Sequence, residues 1–227
     1  MVPCPEGSTC RHIAEIESLK KEVERLSAMV STDPLTNLFN YRHFSRELSQ
    51  EIERSQRTLQ HTTLIMLDVD HFKRVNDEWG HEVGNQALQL IAQCLVGNIR
   101  KLDIACRYGG EEFAIILPST DIMTGAHVAE RIRASIASTP LLMNTSQETN
   151  TSELTAPQSL SLTVSLGLSV YTGNQEQSAS TLVEGADQQL YKAKSEGRNR
   201  TCYPNPDTSV QQVSSDEKSA LFDMFKR

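Results

Sequence analysis

The stretch Arg107-Tyr108-Gly109-Gly110-Glu111-Glu112-Phe113 decides how the rest of the chain is read. It lies between two apolar-rich runs, Ile104-Ala105-Cys106 and Phe113-Ala114-Ile115-Ile116-Leu117, and both read as strands. Adjacent glycines between strands predict a tight hairpin. Glycine also lets a ligand approach the main chain closely. Glu111 and Glu112 then stand at the mouth of the turn. Paired carboxylates in that position point to a hard cation and a phosphate-bearing ligand at the hairpin tip. The same seven residues would also make an ordinary surface turn with solvated acids, so the flanking chain has to decide.

Outward from the hairpin, Leu64-Ile65-Met66-Leu67-Asp68-Val69-Asp70 is a nearly continuous apolar run ending in acids, the pattern of a buried strand. Gln86 to Ile99 reads as a helix with Leu88, Ile91, Leu95 and Ile99 on one face. Leu38 to Leu59 and Asp121 to Ser138 read as two more helices, the latter capped by Ser119, Thr120 or Asp121. Leu160 to Val170 alternates as a strand, and Ser180 to Lys194 forms a last helix stopped by Gly197. Residues 144–158 are polar and predict a loop. Only the 105–117 pair is a direct hairpin, so the order predicts an α+β architecture: a mixed, mostly antiparallel sheet flanked by helices.

The 227 residues divide into an N-terminal segment and helix (1–32), one catalytic-sized domain (33–203) and a polar tail (204–227). In the first, Ile16, Leu19, Val23, Leu26 and Val30 follow heptad spacing, with β-branched residues at a and Leu at d. That predicts a parallel two-stranded coiled coil; packing of the helix on its own domain is the competing reading. Asp33-Pro34 ends the helix. The net charge of −7 argues against nucleic acid as a partner. No apolar run is long enough to span a membrane and no signal peptide is visible. Scattered cysteines, with Cys94 and Cys106 in apolar runs, predict a reduced cytoplasmic protein. Cys4, Cys10 and His12 offer three soft ligands for Zn²⁺, but at no standard finger spacing, and the segment reads as disordered.

The strand ending at Asp68 and the Glu111 hairpin are expected to lie side by side, letting Asp68 and Glu111 share one or two Mg²⁺ ions with substrate phosphates. Asp70 is expected to be structural. Around these acids, Asp33-Pro34-Leu35-Thr36, Asp68-Val69-Asp70-His71-Phe72-Lys73-Arg74-Val75-Asn76-Asp77, Gly80-His81 with Gly84, Gly109 to Phe113, Ser165-Leu166-Gly167, Ala186-Asp187 through Tyr191-Lys192-Ala193-Lys194, and Gly197-Arg198-Asn199 occur in order. From Thr32 to Thr201 the chain closely resembles the GGDEF family of bacterial diguanylate cyclases. The resemblance implies a nucleotidyl-cyclase palm-like fold and a homodimer that condenses two GTP into cyclic di-GMP. It implies Mg²⁺ or Mn²⁺, two per active site, held by Asp68, Glu111 and the carbonyl of Val69. Lys73, Lys194 and Arg198 would neutralise phosphate charge. Phe72, Asn76 and His81 would line the base and ribose, with Gly109 and Gly110 against the nucleotide. Either Glu111 or Glu112 would assist deprotonation of the attacking hydroxyl.

One position departs from the family pattern. An acid usually follows the Gly-His-x-x-Gly stretch, and here Asn85 stands there. An amide offers one acceptor and a donor where a carboxylate accepts twice from the guanine edge, so weaker discrimination against adenine is expected. Arg100-Lys101-Leu102-Asp103 matches the family's Arg-x-x-Asp product-inhibition motif, with Arg131 as a second arginine, and implies an inhibitory cyclic di-GMP site. A catalytically silent receptor using that site is the rival reading, against which the intact glycine–acid hairpin speaks.

Overall fold

The computed structural model describes residues 15–22, 31–143, 158–173 and 178–205. Its centre is a six-stranded sheet built around β2 (Thr62–Val69), the apolar run before the acids. β4 (Glu112–Pro118) and β7 (Val164–Tyr171) pair antiparallel with it on either side. β3 (Ile104–Arg107) pairs antiparallel with β4, while the two-residue strands β1 (Phe39–Asn40) and β8 (Thr201–Cys202) add parallel edges, giving the order β1-β3-β4-β2-β7-β8. β5 (Leu141–Met143) and β6 (Gln158–Leu160) form a separate antiparallel pair.

β2 is buried on both faces, so its side chains divide by parity. Ile65, Leu67 and Val69 pack into one core with α2 (Phe72–Asn98) and α3 (Ile122–Ser138). Leu64 and Met66 pack into another with α1 (Tyr41–Thr58) and α4 (Ala179–Ser195). The sheet is thus mostly antiparallel and covered by helices on both faces, an α+β fold. The even parity that sends Leu64 and Met66 toward α4 continues to Asp68, which determines what that acid meets.

Local chemistry sets the helix ends. Asn40 Oδ1 accepts from His43 N–H at 3.0 Å, Asp121 Oδ1 from Thr124 N–H at 2.9 Å, and Ser178 Oγ from Thr181 N–H at 3.2 Å. The first helix begins at Tyr41 instead of Leu38 because Phe39 and Asn40 are drawn into the sheet opposite Cys106 and Arg107. The helix expected from Gln86 starts fourteen residues earlier, at Phe72, and Gly80 interrupts it with φ 81° and ψ 163°. The hairpin connection is also wider than two residues. The last β3–β4 pair is Arg107 with Phe113, and Tyr108 and Gly109 N–H both donate to the Glu112 carbonyl. Neither Gly109 nor Gly110 has a positive φ. Gly109 instead leaves room for Glu112: a Cβ there would stand 2.9 Å from its Oε2.

Of the heptad residues, Ile16 and Leu19 lie in a helical stretch at 15–22 and are exposed. Val23, Leu26, Val30, Cys4, Cys10, His12, residues 144–157 of the predicted loop and the tail beyond 205 lie outside the described residues. Cys94, Cys106 and Cys202 are free thiols, and burial pushes Cys106 up to about 12, so it packs as a small hydrophobe.

Candidate active site

β2 delivers Asp68 to the end of the sheet, directly opposite Glu112 in the β4 register. One step further, Val69 N–H donates to the Glu111 carbonyl at 3.3 Å, so the main chains of both expected ligand segments meet. On the α4 side, Lys194 Nζ lies 2.8 Å from Asp68 Oδ2. Gly167 of β7 makes that meeting possible. A Cβ at Gly167 would fall 2.1 Å from Leu190 N and 2.2 Å from the Ala186 carbonyl, so only glycine lets α4 lie this close to the sheet.

The acids crowd one another. Burial raises the Glu112 carboxyl above its ordinary range, and the charges of Asp68, Asp187 and Glu111 push it the same way while Lys194 opposes them. Asp187, one turn above Leu190 on α4, is also raised by burial of its carboxyl and opposed by Lys194. Burial comes first for Tyr108 as well, followed by the charges around it, Asp187 and Glu112 included. Lys194 is therefore a cation shared by three carboxylates, Asp68, Glu112 and Asp187. Among the described residues, no three acid, histidine or cysteine side chains already form a cage for a metal ion. This donor set still suits a divalent ion: Mg²⁺ takes one or two carboxylates and completes its shell with water and substrate phosphate. The crowding that raises Glu112 is the field such an ion would relieve.

The remaining expected contacts line up on the broken helix. Phe72 is buried, Lys73 and His81 are exposed, and Asn76 and Asn85 are half-buried. Gly84 allows Asn76 to fold against the second helical segment, since a Cβ at Gly84 would be 2.0 Å from Asn76 Oδ1 and 3.3 Å from Phe72 Cζ. Arg198 is exposed on the loop after α4, with φ 63°. Asp70 is buried and wholly engaged: it accepts from Ser165 Oγ at 2.6 Å, Thr163 Oγ1 at 2.8 Å and Asn199 N–H at 3.0 Å. That is the structural part expected of it.

With this geometry in place, comparison with known proteins is direct. Residues 30–200 match the family described as diguanylate cyclase, GGDEF domain. The chain belongs to the GGDEF domain family. It is 40% identical over 169 residues to the diguanylate cyclase DgcP of Pseudomonas aeruginosa, covering 74% of this chain and 23% of that protein. It is 32% identical over 181 residues to the response regulator PleD of Caulobacter vibrioides, covering 80% of this chain and 37% of PleD. The chain therefore spans well under half of either relative. The coiled coil and GGDEF domain of DgcB from Caulobacter crescentus, solved with c-di-GMP, superposes with a TM-score of 0.69 at 32% identity, covering 85% of this chain and 95% of that one. The active GGEEF domain of a Vibrio cholerae diguanylate cyclase gives 0.63 at 30% identity, covering 73% and 97%.

In GGDEF terms, the Arg-x-x-Asp segment closes on itself. Arg100 N–H donates to Asp103 Oδ2 at 2.7 Å, and Asp103 N–H to the Arg100 carbonyl at 3.0 Å. Burial raises the Asp103 carboxyl, while Arg100 and then Arg131 draw it back, so the three expected side chains share one neighbourhood. Arg100 and Asp103 border a groove of about 440 Å³ with Asn37, Phe39 and Val96. Arg131 Nη2 also donates to the Asn98 carbonyl at 2.5 Å. Sequence reading assigned no part to Asp187 or Arg107. Both sit inside or beside quoted motifs: Asp187 lies two turns before Lys194 on α4 and interacts with its charge, and Arg107 reaches the Gly110 carbonyl three residues on, at 2.8 Å from Nη2. No helix among the described residues is long and apolar enough to cross a membrane.

Proposed function

We propose that residues 33–203 form a diguanylate cyclase domain that works as a homodimer, each subunit holding one GTP. The observation that carries this reading is the Asp68–Lys194 ion pair beside Glu112 at the mouth of the glycine hairpin. It supplies a phosphate-binding cation and metal-binding acids at one point. Each GTP 3′-oxygen bonds to the α-phosphorus of the other nucleotide as the α–β phosphoanhydride bond breaks. Two pyrophosphates leave, and the two hydroxyl protons pass to base. Asp68, Glu111 and the Val69 carbonyl would hold Mg²⁺ or Mn²⁺, two ions per site, which supply charge neutralisation and acidify the hydroxyl. The triphosphate competes with Asp68 for Lys194, and Lys73 and Arg198 add cations around it. Glu112, already raised toward protonation, and Glu111 are the groups positioned to accept the proton. Phe72, Asn76, His81 and Asn85 face the base and ribose, and Gly109 and Gly110 leave the hairpin open to the nucleotide.

Incubation with GTP and Mg²⁺ followed by mass detection tests the reading. Cyclic di-GMP should form, and Glu111→Ala should lower the rate by at least ~10²-fold. A wild-type dimer that yields no dinucleotide overturns the proposal. Arg100, Asp103 and Arg131 form the inhibitory product site; Arg100→Ala should relieve inhibition by added cyclic di-GMP, and unchanged inhibition removes that assignment. A second reading follows from Asn85, half-buried beside Gly84 and the Asn76 contact. Its amide admits an acceptor at the purine N1 position, so GTP–ATP mixtures should yield some mixed dinucleotide. Strict GTP use, unaltered by Asn85→Asp, sinks it.

A further inference from the structure

Gly197, Arg198 and Asn199 follow α4 with φ of 111°, 63° and 45°. Arg198 and Asn199 are thus two successive side-chain-bearing residues in the left-handed region, a conformation that persists only where the surroundings hold it. The loop is gripped from two sides. From the sheet, buried Asp70 accepts Asn199 N–H at 3.0 Å while Ser165 and Thr163 fix the same carboxylate. From α3, Arg133 Nη1 donates to Asn199 Oδ1 at 2.6 Å. Arg133 is itself fixed by Glu130, with Nε at 2.9 Å from Oε2 and Nη2 at 2.6 Å from Oε1. Its side chain is 20% exposed.

We infer that Arg133 is a positioning residue for substrate: through Asn199 it locks the 197–199 loop so that Arg198 and Lys194 converge on one triphosphate. It touches no nucleotide itself, and the inference rests on the cyclase reading above. Arginine suits the task because its planar fork can grip Glu130 twice and still reach Asn199. A lysine ammonium is a point charge and cannot span both. Loss of the clasp leaves the phosphate ligands present but misplaced. Misplacement weakens binding of the triphosphate more than it alters the hydroxyl, base and leaving group.

The test is initial-rate kinetics of cyclic dinucleotide formation for wild type, Arg133→Ala, Arg133→Lys, Asn199→Ala and the Arg133→Ala/Asn199→Ala double variant, each checked for a cooperative melt. KM for GTP should rise about tenfold in Arg133→Ala while kcat changes less than about threefold. Arg133→Lys should restore little of the KM, and the double variant should be no worse than the poorer single one, because both act through one clasp. A folded Arg133→Ala whose KM stays within about twofold of wild type, or KM effects that multiply in the double variant, overturns the inference. If Arg133→Ala does not fold, Arg133→Gln is judged by the same KM criterion. Wild-type protein that makes no dinucleotide overturns the cyclase reading, whereas active wild type with unshifted Arg133 and Asn199 variants overturns only this inference.

Discussion

The two halves of the candidate site rest on different supports. The half proposed to hold phosphate is carried by the centre of the sheet: Asp68 on β2, Glu112 opposite it on β4, and Lys194 on a helix pressed flat against β7. The half proposed to hold the base rides on α2, broken at Gly80, with Phe72 buried, Asn76 and Asn85 half-buried and His81 exposed. Where charges must be placed to a fraction of an ångström, the fold uses buried strands on both sides. Under the cyclase reading, the purine would be gripped and released by two helical segments joined at Gly80.

The largest expected effect comes from attacking the support of the first half. Gly167→Ala places a Cβ against the backbone of α4, 2.1 Å from Leu190 N, and backbone cannot swing away as a side chain can. α4 must lift from β7, at a cost of about 3 kcal/mol, and Lys194 moves with it. Chemical denaturation should show the lost stability, and cyclic dinucleotide formation should nearly vanish. A variant as stable and active as wild type would mean that α4 is not fixed by this contact, and the contrast between the halves would fail.

Gly84→Ala is the matching change on the base half, and a smaller one. The new Cβ meets the far end of the Asn76 side chain, which can rotate away. Alanine also favours the helix by up to about 1 kcal/mol over glycine. Stability should therefore hardly change, while displacement of Asn76 raises KM for GTP about tenfold. Kinetics and a melting curve on one preparation check both. If stability falls as KM rises, the base half is as tightly built as the phosphate half.

The contrast also explains what was legible in the sequence. The runs at 64–70 and 113–117 announced themselves because a strand buried on both faces reads as a nearly continuous apolar run, broken here where it emerges at Asp68 or Glu112. The first segment of α2 did not. Phe72 and Val75 are its buried residues, and the charged run around them has too few apolar positions to show a period. β1, β5, β6 and β8 are two or three residues long and exist through tertiary pairing. Asp68, Glu111 and Lys194 were readable as motif residues. The Asn199–Arg133 and Asp33–Arg107 contacts, 66 and 74 residues apart in sequence, were not, since nothing local marks their partners.

The smallest effect concerns that last pair, which ties the domain's start to the hairpin tip. Arg107 Nη1 lies 3.2 Å from both Asp33 oxygens, while Nε and Nη2 hold the Gly110 carbonyl at 3.1 and 2.8 Å. Burial would raise the Asp33 carboxyl, but the Thr36 hydroxyl and N–H and the Arg107 charge outweigh it and hold Asp33 below its ordinary 3.8. A depressed folded-state pKa means the unfolded chain binds the proton more readily. The stabilisation is therefore complete above about pH 3.8 and drains away as pH falls through the lower folded value. Asp33→Asn should cost about 1 kcal/mol at pH 7. The deficit should persist down to pH 4 and shrink below it, where wild type becomes protonated too. Denaturation curves at pH 7, 4 and 2.5 on both proteins measure it, and a deficit independent of pH would show that shape, not charge, is what Asp33 contributes. Turnover should fall by less than about threefold, because the strands hold Glu112 opposite Asp68 with or without the clamp. A larger loss would place the rigidity of the phosphate half in Arg107 instead of in the sheet.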